Sequence, residues 1–212
     1  MRIAILGAGN VGGALGKAWA RVGHSIAYGV PQPSTKHAAT AAAAGNASVT
    51  MVADAVRGAD AIVLAVPFGA VASALRDCGD LSGRIVMDAT NPLRRGAGGI
   101  ELSVGFTSSG AEQIAAMAPG AAVFKTLNQV GFEVMANSSG YAARPVIFVA
   151  GDDDARKPVV LQLVDDLGFN AIDAGPLVQA RLLEPFAMLW IHMALNRGAG
   201  RDNAFAHMAR AR

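Results

Sequence analysis

Cysteine is almost missing. Cys78 is the only one in 212 residues. No internal disulfide can form, and no Cys/His spacing resembles a metal site, so none is expected. A reducing compartment, the cytoplasm, is the expected location. Excess charge is missing too: 18 basic residues face 16 acidic ones, a formal net charge of +2. No basic stripe with interleaved aromatics appears, so nucleic acid is not an expected partner. Long apolar runs are also lacking. The longest uncharged one, Ala61 to Leu75, contains Pro67 and Gly69 and falls short of the roughly 20 residues that span a bilayer. No membrane segment is expected. The start, Met1 to Leu6, reaches a glycine too soon for a signal peptide. Aromatics make up only 6% of residues while hydrophobic residues make up 52%. Small aliphatic side chains must therefore fill the core, which suits a buried parallel sheet under helices.

Short apolar runs alternate with helical periodicity. Strands are expected at Arg2–Leu6, Ser25–Tyr28, Ala47–Val49, Ala61–Val66, Arg84–Asp88, Ala121–Lys125, Val146–Ala150 and Phe169–Ile172. Helical spacing follows most of them. Val11, Leu15, Ala18, Trp19 and Val22 mark the first helix, and Val160, Leu163, Val164 and Leu167 a later one closed by Gly168. Gly29 to Lys36 reads as a loop, Arg94 to Gly105 as a mobile glycine-rich loop, and the end from Arg197 as solvated and frayed. A final helix carries Leu182, Phe186, Leu189, Trp190 and Met193 on one face, with an interruption at Pro185. Strand–helix alternation implies an α/β fold: a Rossmann-type, mostly parallel sheet with helices on both faces and a C-terminal helical extension. A single dinucleotide-binding domain is expected over 1–212, with a core at 1–128 and an extension of the same sheet plus the final helix at 129–212. The apolar face of that helix either covers its own sheet or meets a second copy, and a homodimer is expected.

The chemistry begins at Gly7-Ala8-Gly9-Asn10-Val11-Gly12. This G-x-G-x-x-G follows a strand and opens a helix, the context in which it binds a dinucleotide. The first glycine permits the tight turn, the second lets pyrophosphate approach the backbone, and the third lets helix pack on strand. Free amides at the helix start hold the phosphates. After the second strand a carboxylate would select NAD through its ribose 2′-hydroxyl. Here Tyr28 to Lys36 contains no acid, and Ser34, Thr35 and Lys36 are candidates for a 2′-phosphate. NADP is thus expected ahead of NAD. Ala65-Val66-Pro67 and Thr90-Asn91-Pro92 end two further strands and are expected to wall the path from adenosine to nicotinamide. Asp88 braces that loop. Lys125 and Asn128, at the next strand end, are the candidate catalytic residues, although Lys125 also reads as a partly exposed lysine with no role.

Further segments occur in order: Gly151-Asp152-Asp153-Asp154, Asp173-Ala174-Gly175-Pro176-Leu177 and Arg181-Leu182-Leu183-Glu184. With the glycine turn, Ala65-Val66-Pro67 and Thr90-Asn91-Pro92, they resemble the NADP oxidoreductases dependent on the deazaflavin coenzyme F420. The cofactor-binding part of six-transmembrane ferric reductases is similar. The resemblance spans roughly residues 1–196. It implies hydride transfer between NADPH and a flavin-like or deazaflavin ring, in a cytoplasmic protein that is often dimeric. It also implies Ser/Thr-Arg after the second strand, where this chain reads Gly29-Val30-Pro31. Two other functions fit the residues: a reductase of small imines or carbonyls, similar to pyrroline-carboxylate reductases, and a dinucleotide-binding regulator without turnover.

Overall fold

The computed structural model describes residues 1–210; Ala211 and Arg212, the last of the arginine-rich end, lie outside them. Strand β1 (Arg2–Leu6) is buried on both faces. Its period-two alternation sends Ile3 and Ile5 to one layer with Leu15 and Trp19, and Ala4 and Leu6 to the other with Val52 and Val71. Helix α1 (Asn10–Arg21) lies on the first layer. Its buried Trp19 donates from Nε1 to the Leu163 carbonyl at 2.8 Å.

Beside β1 run β2 (Ser25–Val30), β3 (Ala47–Met51), β4 (Ala61–Leu64), β5 (Ile85–Asp88) and β8 (Ala122–Lys125). These six lie in the order β3-β2-β1-β4-β5-β8, and each adjoining pair is parallel. The order reverses between β1 and β4, the switch point at which open α/β sheets bind ligands. Beyond β8 come β9 (Val146–Gly151), antiparallel to it, and β10 (Asn170–Asp173), parallel to β9. Helices α2 (Thr35–Ala44), α3 (Val52–Val56), α4 (Val71–Cys78), α5 (Gly110–Met117), α6 (Phe132–Ala136) and α7 (Lys157–Asp166) connect the strands, and α8 (Ala180–Asn196) follows them. The fold is a Rossmann-like, mostly parallel sheet with helices on both faces. No helix among the described residues is long and apolar enough to cross a membrane.

Four expectations need correction. Residues 94–105 are not a loose loop. Strands β6 (Leu93–Gly96) and β7 (Gly99–Leu102) form an antiparallel hairpin, with Arg94 opposite Glu101 and an ion pair of 2.8 Å between them. Its glycines serve the turn, where Gly99 takes φ +115°. Strand β2 runs on to Val30, because Gly29 fits where a Cβ would come within 2.9 Å of Leu6. Helix α8 continues through Pro185, the sixth residue of the helix. So near the start, the missing N–H removes one backbone bond from a helix held by its packed inner face. The end beyond Arg197 is not frayed throughout. The Phe205 carbonyl accepts from the Val146 amide at 2.8 Å, the Asn203 carbonyl accepts from Trp190 Nε1 at 2.8 Å, and the Phe205 ring sits 4.9 Å from that of Phe186.

Helix α8 is clamped to α5 by charge. Arg181 donates to both Glu112 oxygens at 2.9 and 2.6 Å, and the Ser109 hydroxyl donates to the same carboxylate at 2.7 Å. The Arg181 guanidinium holds the Glu112 carboxyl below its ordinary range, with burial opposing and Ser109 assisting. A depressed carboxylate stabilises the fold above its unfolded value, near 4.5, and loses that contribution as pH falls through the folded value. Glu112→Gln should therefore lower the urea midpoint at neutral pH and converge with the parent protein as pH falls through the folded value of the carboxyl. Parallel curves at all pH values would contradict this.

Candidate functional site

The glycine turn ends β1 and opens α1. At Gly7, with φ +105°, a Cβ would lie 2.6 Å from the Ala65 carbonyl oxygen. At Gly12 it would lie 2.0 Å from the Gly7 carbonyl oxygen, so strand and helix touch through backbone alone. At Gly9 a Cβ would meet nothing within 4 Å. The first two glycines are required by the protein's own packing, whereas Gly9 faces open space. The first turn of α1 contains no acidic residue, and its leading amides have no intrahelical acceptor. This cradle fits a pyrophosphate.

A cleft of about 390 Å³ opens there, lined by Gly9, Asn10, Val11, Ala65, Val66, Pro67, Phe68, Ala89, Thr90, Asn91 and Leu93. It gathers the ends of β1, β4 and β5, as expected for a dinucleotide crossing the switch point. Pro92 is buried behind it. A narrower, largely apolar hollow of about 160 Å³ shares Val66 with this cleft and reaches Gly29, Pro31, Val52 and Ala74. Its largely apolar lining suits an adenine. Ser34 caps α2, accepting from the His37 amide, while Lys36 is exposed on the first turn of that helix. None of Ser34, Thr35 and Lys36 lines the cleft; they stand at the α2 start, beyond the end of β2. A larger hollow of about 570 Å³ lies at the opposite, amino ends of the parallel strands. Asp152, Asp153 and Asp154 line it and would repel phosphate.

Lys125 is not partly exposed but fully buried. Its Nζ lies 2.8 Å from Asp88 Oδ2 and 3.3 Å from Glu184 Oε1, and donates to the Thr90 carbonyl at 2.5 Å. Asp88 Oδ1 accepts from the Thr90 amide at 2.9 Å and from its hydroxyl at 2.6 Å, so Asp88 braces the wall. Glu184 went unrecognised as a site residue in the sequence. It reaches in from α8 and accepts from the Gly110 and Ala111 amides at 3.0 and 3.2 Å. Burial pushes its carboxyl up, and the Lys125 ammonium and those amides pull it back. Asn91 and Asn128 pair with each other: Asn128 Nδ2 donates to Asn91 Oδ1 at 3.1 Å and Asn91 Nδ2 to the Asn128 carbonyl at 3.2 Å. Asn128 is buried, and its amide also joins Leu183 and Gln129. Lys125 and Asn128 therefore support the wall from behind and do not line the cleft. Among the described residues, none that lines the cleft is ionisable.

The family model for NADP oxidoreductase, coenzyme F420-dependent, matches residues 2–92. A solved structure from Arthrobacter sp. FB24, assigned as an F420-dependent NADP-reductase, is 30% identical, covering 95% of this chain and 96% of that one with a TM-score of 0.86. The chain belongs to this family. It is an NAD(P)-dependent oxidoreductase. A hypothetical protein from Sinorhizobium meliloti is 25% identical over 87% of this chain and 90% of that one, with a TM-score of 0.77. A reductive aminase from Aspergillus terreus, solved with NADPH4, cyclohexanone and allyl amine, shares the fold at 18% identity and a TM-score of 0.65. This chain spans 62% of that aminase.

The segments Gly151-Asp152-Asp153-Asp154 and Asp173-Ala174-Gly175-Pro176-Leu177 bind one another. The Gly175 amide donates to Asp173 Oδ1 at 2.8 Å, the Leu177 amide to Asp152 Oδ1 at 2.8 Å, and the Gly151 amide to the Gly175 carbonyl at 3.0 Å. They fasten the β9–β10 edge.

The glycines make a paired test. Gly9→Val should leave the unfolding midpoint unchanged and weaken NADPH binding by about tenfold or more, because a side chain enters the cradle. Gly12→Ala should cost about 1–3 kcal/mol of stability, because its Cβ meets backbone that cannot move aside. Calorimetry and urea unfolding would separate the two. Normal NADPH binding by Gly9→Val would remove the turn from the site.

Proposed function

We propose that this oxidoreductase passes a hydride from NADPH to a planar flavin-like ring, with a deazaflavin as the best-fitting acceptor. The neutrality of the cleft carries this reading. Reducing a carbonyl or imine calls for a donor placed at the oxygen or nitrogen that gains a proton. Here, among the described residues, no ionisable side chain lines the cleft, and Asp88, Lys125 and Glu184, at the strand ends behind it, are paired and buried. A flavin-like ring needs proximity and stacking more than a strong acid, and takes its proton from water at a ring nitrogen. The family's description and the Arthrobacter relative's assignment support the same acceptor.

NADPH supplies the hydride when bound. The α1 amides and Gly9 would hold its pyrophosphate, and the hollow beside Gly29 and Pro31 its adenine. Ala65-Val66-Pro67 and Thr90-Asn91-Pro92 would flank the nicotinamide half. Thr90 and Asn91 are held rigid by Asp88 and Asn128, so they orient the bound ring without moving protons. The exposed faces of Leu182 and Leu189, two turns apart on α8, support a homodimer through that helix.

With no acid at the end of β2, NADPH should bind more tightly than NADH. Lys36→Ala should narrow that gap, since it removes the cation nearest the expected 2′-phosphate. Equal dissociation constants in the parent protein would refute the preference.

Stopped-flow oxidation of NADPH against 5-deazariboflavin 5′-phosphate, riboflavin 5′-phosphate and 1-pyrroline tests the acceptor. The ring compounds should be reduced, the imine should not, and the single-turnover rate should stay flat from about pH 6 to 9 for want of a titrating group. Faster turnover of the imine, or a bell-shaped profile, would overturn the reading.

A further inference from the structure

Phe106 is 99% exposed, more than any other large apolar side chain among the described residues. Its backbone is strained as well. It has φ +59°, and Leu127 is the only other non-glycine described with positive φ. Leu127 is fully buried, so packing compensates its strain. Around Phe106 there is only a bond from the Thr107 amide to the Gly105 carbonyl, 2.9 Å long, which closes a tight three-residue turn of the rare hand. A bulky aromatic in the left-handed region, with its ring in water, is costly twice over. Such strain concentrates where a ligand clamps.

The turn stands at the rim of the cleft. Its loop starts at Ser103, whose amide and hydroxyl donate to the Pro92 carbonyl at 2.7 and 3.0 Å. It ends at Gly110, where a Cβ would meet the Phe68 ring at 2.8 Å and Pro92 Cγ at 3.2 Å. Phe68 lines the cleft, and Pro92 lies between Asn91 and Leu93, which also line it. Phe106 is three residues from Ser103 and three from Ser109, so its Cα lies within about 11 Å of each. Among the described residues Phe68 is the one aromatic side chain that lines the cleft, and Phe106 stands outside that lining.

We propose that Phe106 is the residue that stacks on the hydride acceptor, folding its ring over the face turned away from the nicotinamide. This rests on the acceptor reading above and adds the side chain that selects for flat aromatic rings. A stacked phenyl removes water from the transferring face and holds two rings in contact. It offers little to a small aliphatic substrate. The contact lies beyond the cradle, so NADPH affinity is independent of it.

The test uses the full-length protein with 5-deazariboflavin 5′-phosphate as probe. Phe106→Ala should raise the acceptor KM by about tenfold or more, with the NADPH dissociation constant unchanged, and Phe106→Trp should restore it. Chymotrypsin should cut the parent protein after Phe106, giving a fragment that begins at Thr107. That cut should slow sharply when NADP⁺ and the probe are both present, and not with NADP⁺ alone. Turnover of the probe with an unaltered KM in Phe106→Ala and unaltered cleavage would overturn the stacking role while leaving the acceptor reading intact. Cleavage that falls with protein concentration, without ligand, would assign the ring to a second copy instead. No oxidation of NADPH by either ring compound would bring down the acceptor reading, and this inference with it.

Discussion

The Gly7 carbonyl oxygen occupies the place where a side chain on residue 12 would begin. Helix α1 can therefore start directly against the end of β1, its amides aimed over the sheet edge. The cradle, the cleft beside it and the adenine hollow all take their position from that close approach. Ala65 enters the same constraint from β4, since its carbonyl lies where a Cβ on Gly7 would be. Two strands on either side of the switch point are thus locked to one turn, with no side chain acting as a spacer.

Charge is arranged around that edge with equal consequence. Lys125, Asp88 and Glu184 are taken out of water at the end of β8, the end of β5 and the start of α8. Burying three ionisable groups is costly unless each is paired and hydrogen-bonded. Here each has at least two partners, including backbone at Thr90, Gly110 and Ala111. Removing Lys125 would leave two carboxylates without their cation, a loss of about 3–5 kcal/mol. The network joins the C-terminal helix to the wall of the cleft, so α8 contributes to the site without lining it.

The fold was legible because its signals are local. Strand–turn–helix order and period-two burial reveal the sheet, and G-x-G-x-x-G in its context reveals the cradle. Lys125 was misread because burial is a tertiary fact. Nothing in Phe124-Lys125-Thr126 says that Glu184, far along the chain, will arrive beside the ammonium. One signal was available: a lysine ending an apolar strand is expensive without a carboxylate, and Arg-Leu-Leu-Glu offers one on a helix that is otherwise apolar. The hairpin was missed because glycine marks a mobile loop and a tight turn alike. Its cross-strand pairing of Arg94 with Glu101 is visible only once the register is known.

In the sequence, Gly-Asp-Asp-Asp and Asp-Ala-Gly-Pro-Leu carried part of the family resemblance. In the structure they bind one another at the β9–β10 edge, remote from the cleft. Gly151 also lies at the antiparallel join with β8, opposite Phe124, where a Cβ would not fit against the ring. Gln129 completes that join: its side chain accepts from the Phe148 amide at 2.8 Å and donates to the Phe148 carbonyl at 3.1 Å, as a neighbouring strand would. Next to it, Asn128 supports Asn91 in the wall. The β9–β10 edge and the cleft thus meet at Asn128 and Gln129. The edge extension bears on the site through those two amides, which hold Asn91 in the wall from behind.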